Sequence, residues 1–172
     1  MAIPILVPAS TADLPAIMTI IDQAKAALKA AGSPQWQTGY PNQATIETDL
    51  AAEQGWVLRR EQTVVGYLAL VVGDEPTYQH IDGAWADTTA PYATLHRVAL
   101  SDQYRGQGLG KFMLSTAISV GAAQGIRNFR IDTYQLNQPV QTLVKAAGFS
   151  HRGTIYVNEP NHPERLAFEL NL

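Results

Sequence analysis

The 172-residue sequence contains no cysteine, which excludes disulfides, thiolate metal sites, iron–sulfur clusters and cysteine nucleophiles. It also has no excess of basic residues, because 12 Lys and Arg stand against 15 Asp and Glu. The resulting net charge of −3 argues against a general nucleic-acid binder. No apolar run approaches the roughly 20 residues that cross a bilayer, and Met1–Ser10 lacks the basic start of a signal peptide. We therefore expect a cytoplasmic protein with neither a membrane nor a nucleic-acid partner.

The composition predicts one folded domain over residues 1–172. Apolar residues make up 46% of the sequence and charged residues 16%. A typical globular chain has roughly 25% charged residues, so the low value argues against disorder. The length is close to that of one domain of about 150 residues. The histidines show no spacing typical of metal ligands, and we expect no metal site.

Hydrophobic periodicity predicts an α+β fold with the element order β-α-α-β-β-β-α-β-α-β-β. This order favours a mixed, mostly antiparallel sheet of about seven strands, flanked by about four helices. The predicted strands are 3–7, 56–60, 63–72, 92–100, 127–134, 148–157 and 165–170, and the predicted helices are 14–28, 44–53, 109–124 and 139–146. Residues 73–91 form a long irregular segment, and segments of this length are usually functional or mobile.

A glycine-rich turn joins the predicted strand 92–100 to the predicted helix 109–124. The turn, Arg105–Lys111, reads RGQGLGK. A turn of this kind aims several amide N–H groups at one point beside a positive helix end, which favours a phosphate or pyrophosphate site. The stretch fails the dinucleotide fingerprint, which needs glycine at position 111, and the P-loop, which needs glycine at position 105. The pattern that remains is Arg-x-x-Gly-x-Gly, and an ordinary structural turn stays open as the alternative.

This pattern resembles the coenzyme-A-binding motif of the GNAT superfamily of N-acetyltransferases, and the element order resembles the fold of that superfamily. The resemblance covers roughly residues 56–168. Further stretches resemble a bacterial subgroup of GNAT proteins whose substrates are mostly unassigned: residues 35–41, 83–85, 96–97, 131–134, 137, 148–149 and 165–169. The match is specific for the fold and weak for the substrate.

The resemblance implies acetyl-CoA as cosubstrate. The pyrophosphate is expected on the amides of the glycine-rich turn. The pantetheine arm is expected beside the strand that carries Val98 and Leu100, where a main-chain N–H polarises the thioester carbonyl. Asn137 is expected to contact the pantetheine arm or the opening between strands. The residues implied in coenzyme A binding are Val98, Ala99, Leu100, Arg105, Gly106, Gln107, Gly108, Leu109, Gly110, Lys111 and Asn137.

The general acid and base depart from the family pattern. Many GNAT proteins carry a tyrosine as general acid at the position that Val144 occupies here, so Tyr134 is the substitute candidate and a packing role is its alternative. Histidine is the side chain that most often serves as a base near neutral pH, so His96 is the candidate base, with a structural histidine as the alternative. Strand alternation places His96, Val98 and Leu100 on one face.

Six residues are candidates for binding the acceptor: Trp36, Tyr40, Glu75, Tyr78, Asp82 and Trp85. Aromatic residues on loops often line pockets, although tryptophan also caps cores. Glu75 and Asp82 either assist the reaction or bind a cationic acceptor, unless they lie on a solvated loop face. We also expect Arg97 and Asp132 to pair across neighbouring strands, because a buried charge needs a partner.

The sequence therefore predicts an acetyl-CoA-dependent N-acetyltransferase. The acceptor is expected to be a small or amino-acid-like primary amine that attacks directly in a ternary complex. Two alternatives stay open: acetylation of a protein N-terminus or lysine, and binding of acyl-CoA without turnover. Edge strands near the C-terminus suit a homodimer.

Overall fold

The computed structural model describes residues 2–172, which form an eight-stranded sheet and four α-helices. The strands are β1 (Pro4–Pro8), β2 (Gly55–Arg60), β3 (Thr63–Val72), β4 (Asp82–Gly83), β5 (Tyr92–Leu100), β6 (Asn128–Thr133), β7 (Ser150–Tyr156) and β8 (Glu164–Asn171). The helices are α1 (Leu14–Ala30), α2 (Gln43–Ala51), α3 (Leu109–Ala123) and α4 (Gln138–Ala146). Every strand and helix predicted from periodicity is present, with ends displaced by no more than two residues.

The sheet has the order β1-β2-β3-β5-β6-β8-β7-β4, in which β5 and β6 are parallel and the other neighbours are antiparallel. This confirms the mixed, mostly antiparallel sheet. The strand that the prediction missed is β4, which lies inside the segment 73–91. Gly83 of β4 pairs with Gly153 of β7 so closely that a Cβ on Gly83 would lie 2.1 Å from the main-chain oxygen of Arg152. This pairing depends on the close contact of two main chains at glycines. The alternation of hydrophobic residues therefore does not predict it.

The core has two main clusters of buried side chains. The larger one joins the sheet to α3 and α4 through residues such as Met113 and Val144. The other joins the sheet to α1 and α2 through Ile17, Ile46 and Tyr67. Leu109, Met113 and Ala117 form an apolar stripe of α3 that packs in the larger cluster, as expected for an amphipathic helix.

A bulge in β5 changes which side chains share a face of the sheet. Tyr67 of β3 pairs with Ala99, whereas Ala69 pairs with His96, so β5 contains one extra residue over this stretch. Arg97, within the bulge, has a positive φ of 55°. Val98 consequently packs against the larger core cluster and Ala99 against the other. Val98 and Leu100 share a face, as predicted, but the expectation that His96 lies on it is wrong. Leu95 packs in that cluster instead, because the inserted residue shifts the alternation between His96 and Val98.

A gap between β5 and β6 opens after Thr94 and runs past the bulge. The two strands pair only from Tyr92 to Thr94, where Thr94 lies opposite Arg130. Further along, β5 stays paired with β3 and β6 with β8, so the two strands separate. Main-chain groups on the facing edges of β5 and β6 therefore lack a strand partner, and this opening positions the candidate site.

Candidate active site

The gap between β5 and β6 is the centre of a cavity of about 890 Å³. This volume is within the range of small-molecule sites, about 300–1,000 Å³. Its walls come from the two strands, the glycine-rich turn, α4 and the loop between α1 and α2. The lining includes Trp36, Tyr40, Glu75, Thr77, His96, Arg97, Val98, Leu100, Arg105, Gly106, Gly110, Asp132, Thr133, Asn137, Glu159 and Arg165.

The glycine-rich turn presents its amides at one end of this cavity. Gly106 and Gly108 have φ values of 74° and 75°, and Gly108 is the N-cap residue of α3. A Cβ on either glycine would meet no atom within 4 Å, so the left-handed backbone requires glycine here and close packing does not. The N–H groups of residues 106–111 have no acceptor among the hydrogen bonds within residues 2–172. Together with the helix N-terminus, they form a site suited to an anion.

The residues implied in coenzyme A binding are divided between two cavities. Val98, Leu100, Arg105, Gly106, Gly110 and Asn137 line the large cavity. Gln107, Gly108 and Leu109 line a neighbouring cavity of about 460 Å³, where Arg60 Nη1 donates to Gln107 Oε1 over 2.7 Å. Lys111 is exposed, and the side chain of Ala99 packs with the α1 cluster. The side chain of Ala99 is thus outside the site, so only its main chain remains available to a ligand.

The donors on these walls fit coenzyme A. The amides of the turn suit its pyrophosphate, and the facing edges of β5 and β6 offer main-chain groups that suit the amides of its pantetheine arm. Asn137 lines the same gap and caps α4 by accepting from Val140 N at 3.4 Å.

His96 and Glu75 form a pair on the cavity wall. Their Nε2 and Oε2 atoms are 3.0 Å apart, and the side chains are 19% and 21% exposed. Thr77 donates to the other carboxylate oxygen of Glu75 through Oγ1 over 3.0 Å. The hydrogen bond with His96 is the main cause that lowers the pKa of Glu75 from 4.5 to about 2, against a smaller opposing effect of burial. Glu75 is therefore ionised at neutral pH and orients His96.

Asp132 lies on the opposite strand of the gap. The hydroxyl of Tyr78 donates to Asp132 Oδ1 over 2.7 Å. Burial, and then the negative charge of Asp132, raise the pKa of Tyr78 well above its ordinary value, so the phenol stays a donor. The predicted pair between Arg97 and Asp132 is wrong, because Arg97 binds a carboxylate that sequence analysis missed.

That carboxylate is Asp49 of α2, which is 4% exposed. It accepts Arg97 Nε at 2.8 Å, Arg97 Nη2 at 2.5 Å and the Tyr67 hydroxyl at 2.7 Å. Arg97 Nη1 also donates to the hydroxyl of Tyr40 over 2.7 Å. An aspartate three residues after the buried Ile46, on the inner face of α2, is the signal that could have revealed it.

Gln35 is a second polar group that the functional prediction missed. It is buried, and its Oε1 accepts from Thr133 Oγ1 at 3.3 Å, Tyr134 N at 3.2 Å and Asn137 Nδ2 at 3.4 Å. It thereby ties the loop after α1 to the open end of β6.

Three predicted acceptor residues lie away from the cavity wall. Tyr78 and Trp85 form a small buried cluster with Tyr92, in which Trp85 Nε1 donates to the main-chain oxygen of Tyr78 over 3.0 Å. Asp82 is exposed on the edge strand β4, where it accepts from the hydroxyl of Tyr156. The segment 73–91 buries Tyr78 and Trp85 in a core of its own and leaves Asp82 on the edge of the sheet, which is why none of the three lines the cavity. Trp36, Tyr40 and Glu75 do line the cavity.

Tyr134, the candidate acid, is also absent from the wall. It is buried, with its ring 5.4 Å from the Arg165 guanidinium and 6.2 Å from the ring of His162. The structure therefore supports the packing alternative for Tyr134 and does not bring it together with His96.

Within residues 2–172, no helix combines the length and the apolar character needed to cross a membrane. In the same part of the chain, no group of three or more histidine, aspartate or glutamate side chains is arranged to hold a metal ion.

Comparisons with known proteins relate the sequence to acetyltransferases. The model of the acetyltransferase (GNAT) family matches residues 21–149. Over 99 residues, the chain is 30% identical to N-acetyltransferase 8F1 of Rattus norvegicus, a match that covers 57% of this chain and 40% of the rat protein. The chain thus spans about 40% of the length of the mammalian relatives that it matches.

Solved structures show the same similarity in three dimensions. A GNAT-family acetyltransferase from Streptococcus agalactiae 2603 is 30% identical, with a TM-score of 0.88 over 98% of this chain and 95% of that one. The NatC complex bound to a Gag peptide and CoA is 13% identical, with a TM-score of 0.71 over 98% of each chain, and shows likeness of fold alone.

Proposed function

The chain belongs to the GNAT acetyltransferase family, and from that premise we propose that it transfers the acetyl group of acetyl-CoA to the primary amine of a small molecule. The observation that carries this proposal is that one cavity is lined both by Arg105, Gly106 and Gly110 of the glycine-rich turn and by the pair of His96 and Glu75. A cofactor held at the turn and an amine held at that pair would share one space, as direct transfer requires.

The cofactor would be held mainly by main-chain groups. The amides of residues 105–110 would bind the pyrophosphate, and β5 around Val98 would bond the pantetheine arm. Acetyl-CoA supplies the acetyl group as a thioester whose thiolate the amine displaces. An N–H of the bulge in β5 is the donor for the thioester oxygen, because β5 has no partner on its β6 side after Thr94 and the bulge lies along that open edge.

His96 is the general base in this proposal. When its Nε2–H donates to Glu75, Nδ1 keeps a lone pair that can accept a proton from the ammonium form of the acceptor, directly or through water. Glu75 is then a positioning residue, since it fixes the tautomer and stabilises the charged ring.

Tyr40 replaces Tyr134 as the proposed proton donor to the departing thiolate. Tyr40 lines the cavity, and its hydroxyl oxygen accepts from Arg97, so its own proton remains free. Tyr40 is 40% exposed, and its partial burial is the main cause that raises its pKa above the ordinary value, so the phenol is protonated at neutral pH. A thiol with a pKa of about 8.5 is a fair leaving group, so we expect this contribution to be modest.

The loop between α1 and α2 supports a small acceptor. Trp36 and Tyr40 of this loop line the cavity, and Arg97 holds Tyr40 in place. A peptide substrate needs an open groove. This loop instead forms part of the cavity wall, where it would obstruct a peptide. The alternatives, peptide acetylation and acyl-CoA binding without turnover, are outcomes of the experiment below.

The first experiment is a thermal-shift titration with acetyl-CoA, NAD and ATP, followed by thiol-release assays with small amines and peptides. We expect a shift with acetyl-CoA alone, since ligand at a hundred times its Kd adds about 2.7 kcal/mol. We expect thiol release with small amines and not with peptides. Binding without release from any acceptor would support the non-catalytic alternative, and no shift with acetyl-CoA would overturn the proposal.

Within the assay, His96→Gln tests the base. The expected loss in kcat is about 100- to 10,000-fold, with an unchanged Kd for acetyl-CoA. Tyr40→Phe should lower kcat less, and Tyr134→Phe should leave the pH–rate profile unchanged. A profile that shifts with Tyr134→Phe and not with Tyr40→Phe would restore Tyr134 as the acid.

A further inference from the structure

Some charged side chains on the cavity wall form ion pairs within the protein, and others do not. The acidic residues of the wall, among those that the structure describes, are Glu75, Asp132 and Glu159, and its basic residues are His96, Arg97, Arg105 and Arg165. Some of these charges are already neutralised by other side chains of the protein. The charges that are not neutralised determine which charged group of an acceptor the cavity can bind.

The arginines away from the cofactor turn are both committed to carboxylates. Arg97 makes two hydrogen bonds to Asp49 and a third to Tyr40. Arg165 Nη2 lies 3.0 Å from Glu159 Oε2, and its Nη1 donates to the main-chain oxygen of His162 over 2.7 Å. Both guanidinium groups are nearly buried, at 9% and 4% exposure, so neither is free to bind a carboxylate on the acceptor.

Asp132 has no such partner. Its Oδ1 accepts one hydrogen bond from the neutral phenol of Tyr78, and no lysine, arginine or histidine of residues 2–172 forms a salt bridge with it. The residue is only partly exposed and lines the gap on β6. A carboxylate in such a place is most stable when a cation approaches it, because partial burial weakens its hydration.

Tyr78 fixes the direction in which Asp132 can bind. Tyr78 is 2% exposed and packs against Trp85 and Tyr92, so its hydroxyl reaches Asp132 from within the protein. The second carboxylate oxygen, Oδ2, accepts no hydrogen bond from any residue between 2 and 172. His96 is on the facing strand, and its bond to Glu75 leaves its other ring nitrogen for the reacting amine. The wall thus offers a base on β5 and a separate anion on β6.

Resting on the proposed function, we propose that the acceptor carries a second cationic group, which binds Asp132, and that it carries no carboxylate. Aliphatic diamines are the simplest compounds of this class. The reacting amine would lie at His96 and the distal ammonium at Asp132. Asp132 is then a residue that determines specificity. Amino-acid acceptors are excluded because Arg97 and Arg165 are committed to Asp49 and Glu159, and the remaining arginine of the wall, Arg105, lies at the cofactor turn.

The test uses three acceptors with identical reacting ends, each with four methylene groups. Diaminobutane ends in an ammonium, pentylamine in a methyl group and aminopentanoate in a carboxylate. With the full chain and acetyl-CoA, we expect kcat/KM for the diamine to exceed that for pentylamine by about 10- to 100-fold, as for a hydrogen bond to a charged group. We expect aminopentanoate to be the poorest acceptor. The same comparison with three, five and six methylene groups varies the distance between the reacting amine and the group at the other end of the acceptor.

Asp132→Asn identifies the residue responsible. The ratio of kcat/KM between diamine and monoamine should fall towards one, while the Kd for acetyl-CoA and the melting temperature verify that the variant is folded. Asp22→Asn removes the same charge from an exposed position on α1 and should preserve the ratio. An equal loss for all three acceptors would place Asp132 in the chemistry and overturn the inference.

The remaining outcomes separate this inference from the proposed function. Transfer to all three acceptors without preference, or preference for aminopentanoate, overturns the inference and leaves the N-acetyltransferase intact. Binding of acetyl-CoA with no transfer to any small amine of the series overturns both.

Discussion

Arg97 in the bulge of β5 and Asp49 in α2 form a two-point ion pair, with Nε–Oδ2 and Nη2–Oδ1 distances of 2.8 and 2.5 Å. Both side chains are more than nine-tenths buried. The pair holds a non-glycine residue at φ 55°, a conformation that costs on the order of 1–3 kcal/mol. The bulge, the loop that carries Tyr40 and helix α2 are therefore linked at one point.

We expect Asp49→Ala to destabilise the protein by about 3–5 kcal/mol, because it leaves Arg97 buried without its anion. Urea unfolding would measure this loss. As a control, Glu47→Ala removes an exposed acid from the same helix and should change stability by less than about 0.5 kcal/mol. A small effect of Asp49→Ala would show that the bulge holds its shape without the pair.

Gly108→Leu should weaken acetyl-CoA binding at least tenfold and cost about 1–2 kcal/mol in folding, because leucine is strained at φ 75°. Isothermal titration with acetyl-CoA would measure the first effect. Gly125→Leu is the matched control: Gly125 follows the opposite end of α3 at φ 88°, also in open space. It should show similar destabilisation with unchanged binding. Equal binding in both variants would remove the turn from the cofactor site.

Glu75 should make stability depend on acidic pH. Its folded-state pKa of about 2 lies below the ordinary value of 4.5, so the stabilisation is fully present above pH 4.5 and is lost as the pH falls towards 2. Urea midpoints measured over this window should fall less steeply for Glu75→Gln than for the original protein. Parallel slopes for the two proteins would show that Glu75 does not carry this dependence.

Trp36 and Trp85 should respond differently to alanine. Trp36 lines the cavity, so Trp36→Ala is expected to raise KM for the amine severalfold while the Kd for acetyl-CoA stays constant. Trp85 is 9% exposed in the aromatic cluster, so Trp85→Ala should cost about 3–5 kcal/mol in unfolding free energy. Steady-state kinetics and thermal melts distinguish the two results. Interchanged effects would contradict the assignment of the two tryptophans.

The cofactor turn was the part of the candidate site most accessible from sequence. A glycine-rich stretch between a strand and a helix is a local pattern, and its conformation depends on the φ values of Gly106 and Gly108. The same local reasoning failed at His96, since the bulge inserts a residue that alternation does not anticipate. It also failed at Tyr78 and Trp85, because aromatic side chains on a loop can line a pocket or build a core, and composition does not distinguish the two.

The sequence by itself determined the order of elements, the mixed sheet and the place of the glycine-rich turn, because periodicity and turn chemistry act over neighbouring residues. Tertiary structure alone decided which charges meet in the cavity. Glu75 meets His96 from 21 positions away, Asp49 meets Arg97 from 48 and Tyr78 meets Asp132 from 54. These partners depend on how the loops pack on the sheet, so the charge that remains free for an acceptor is a property of the folded chain.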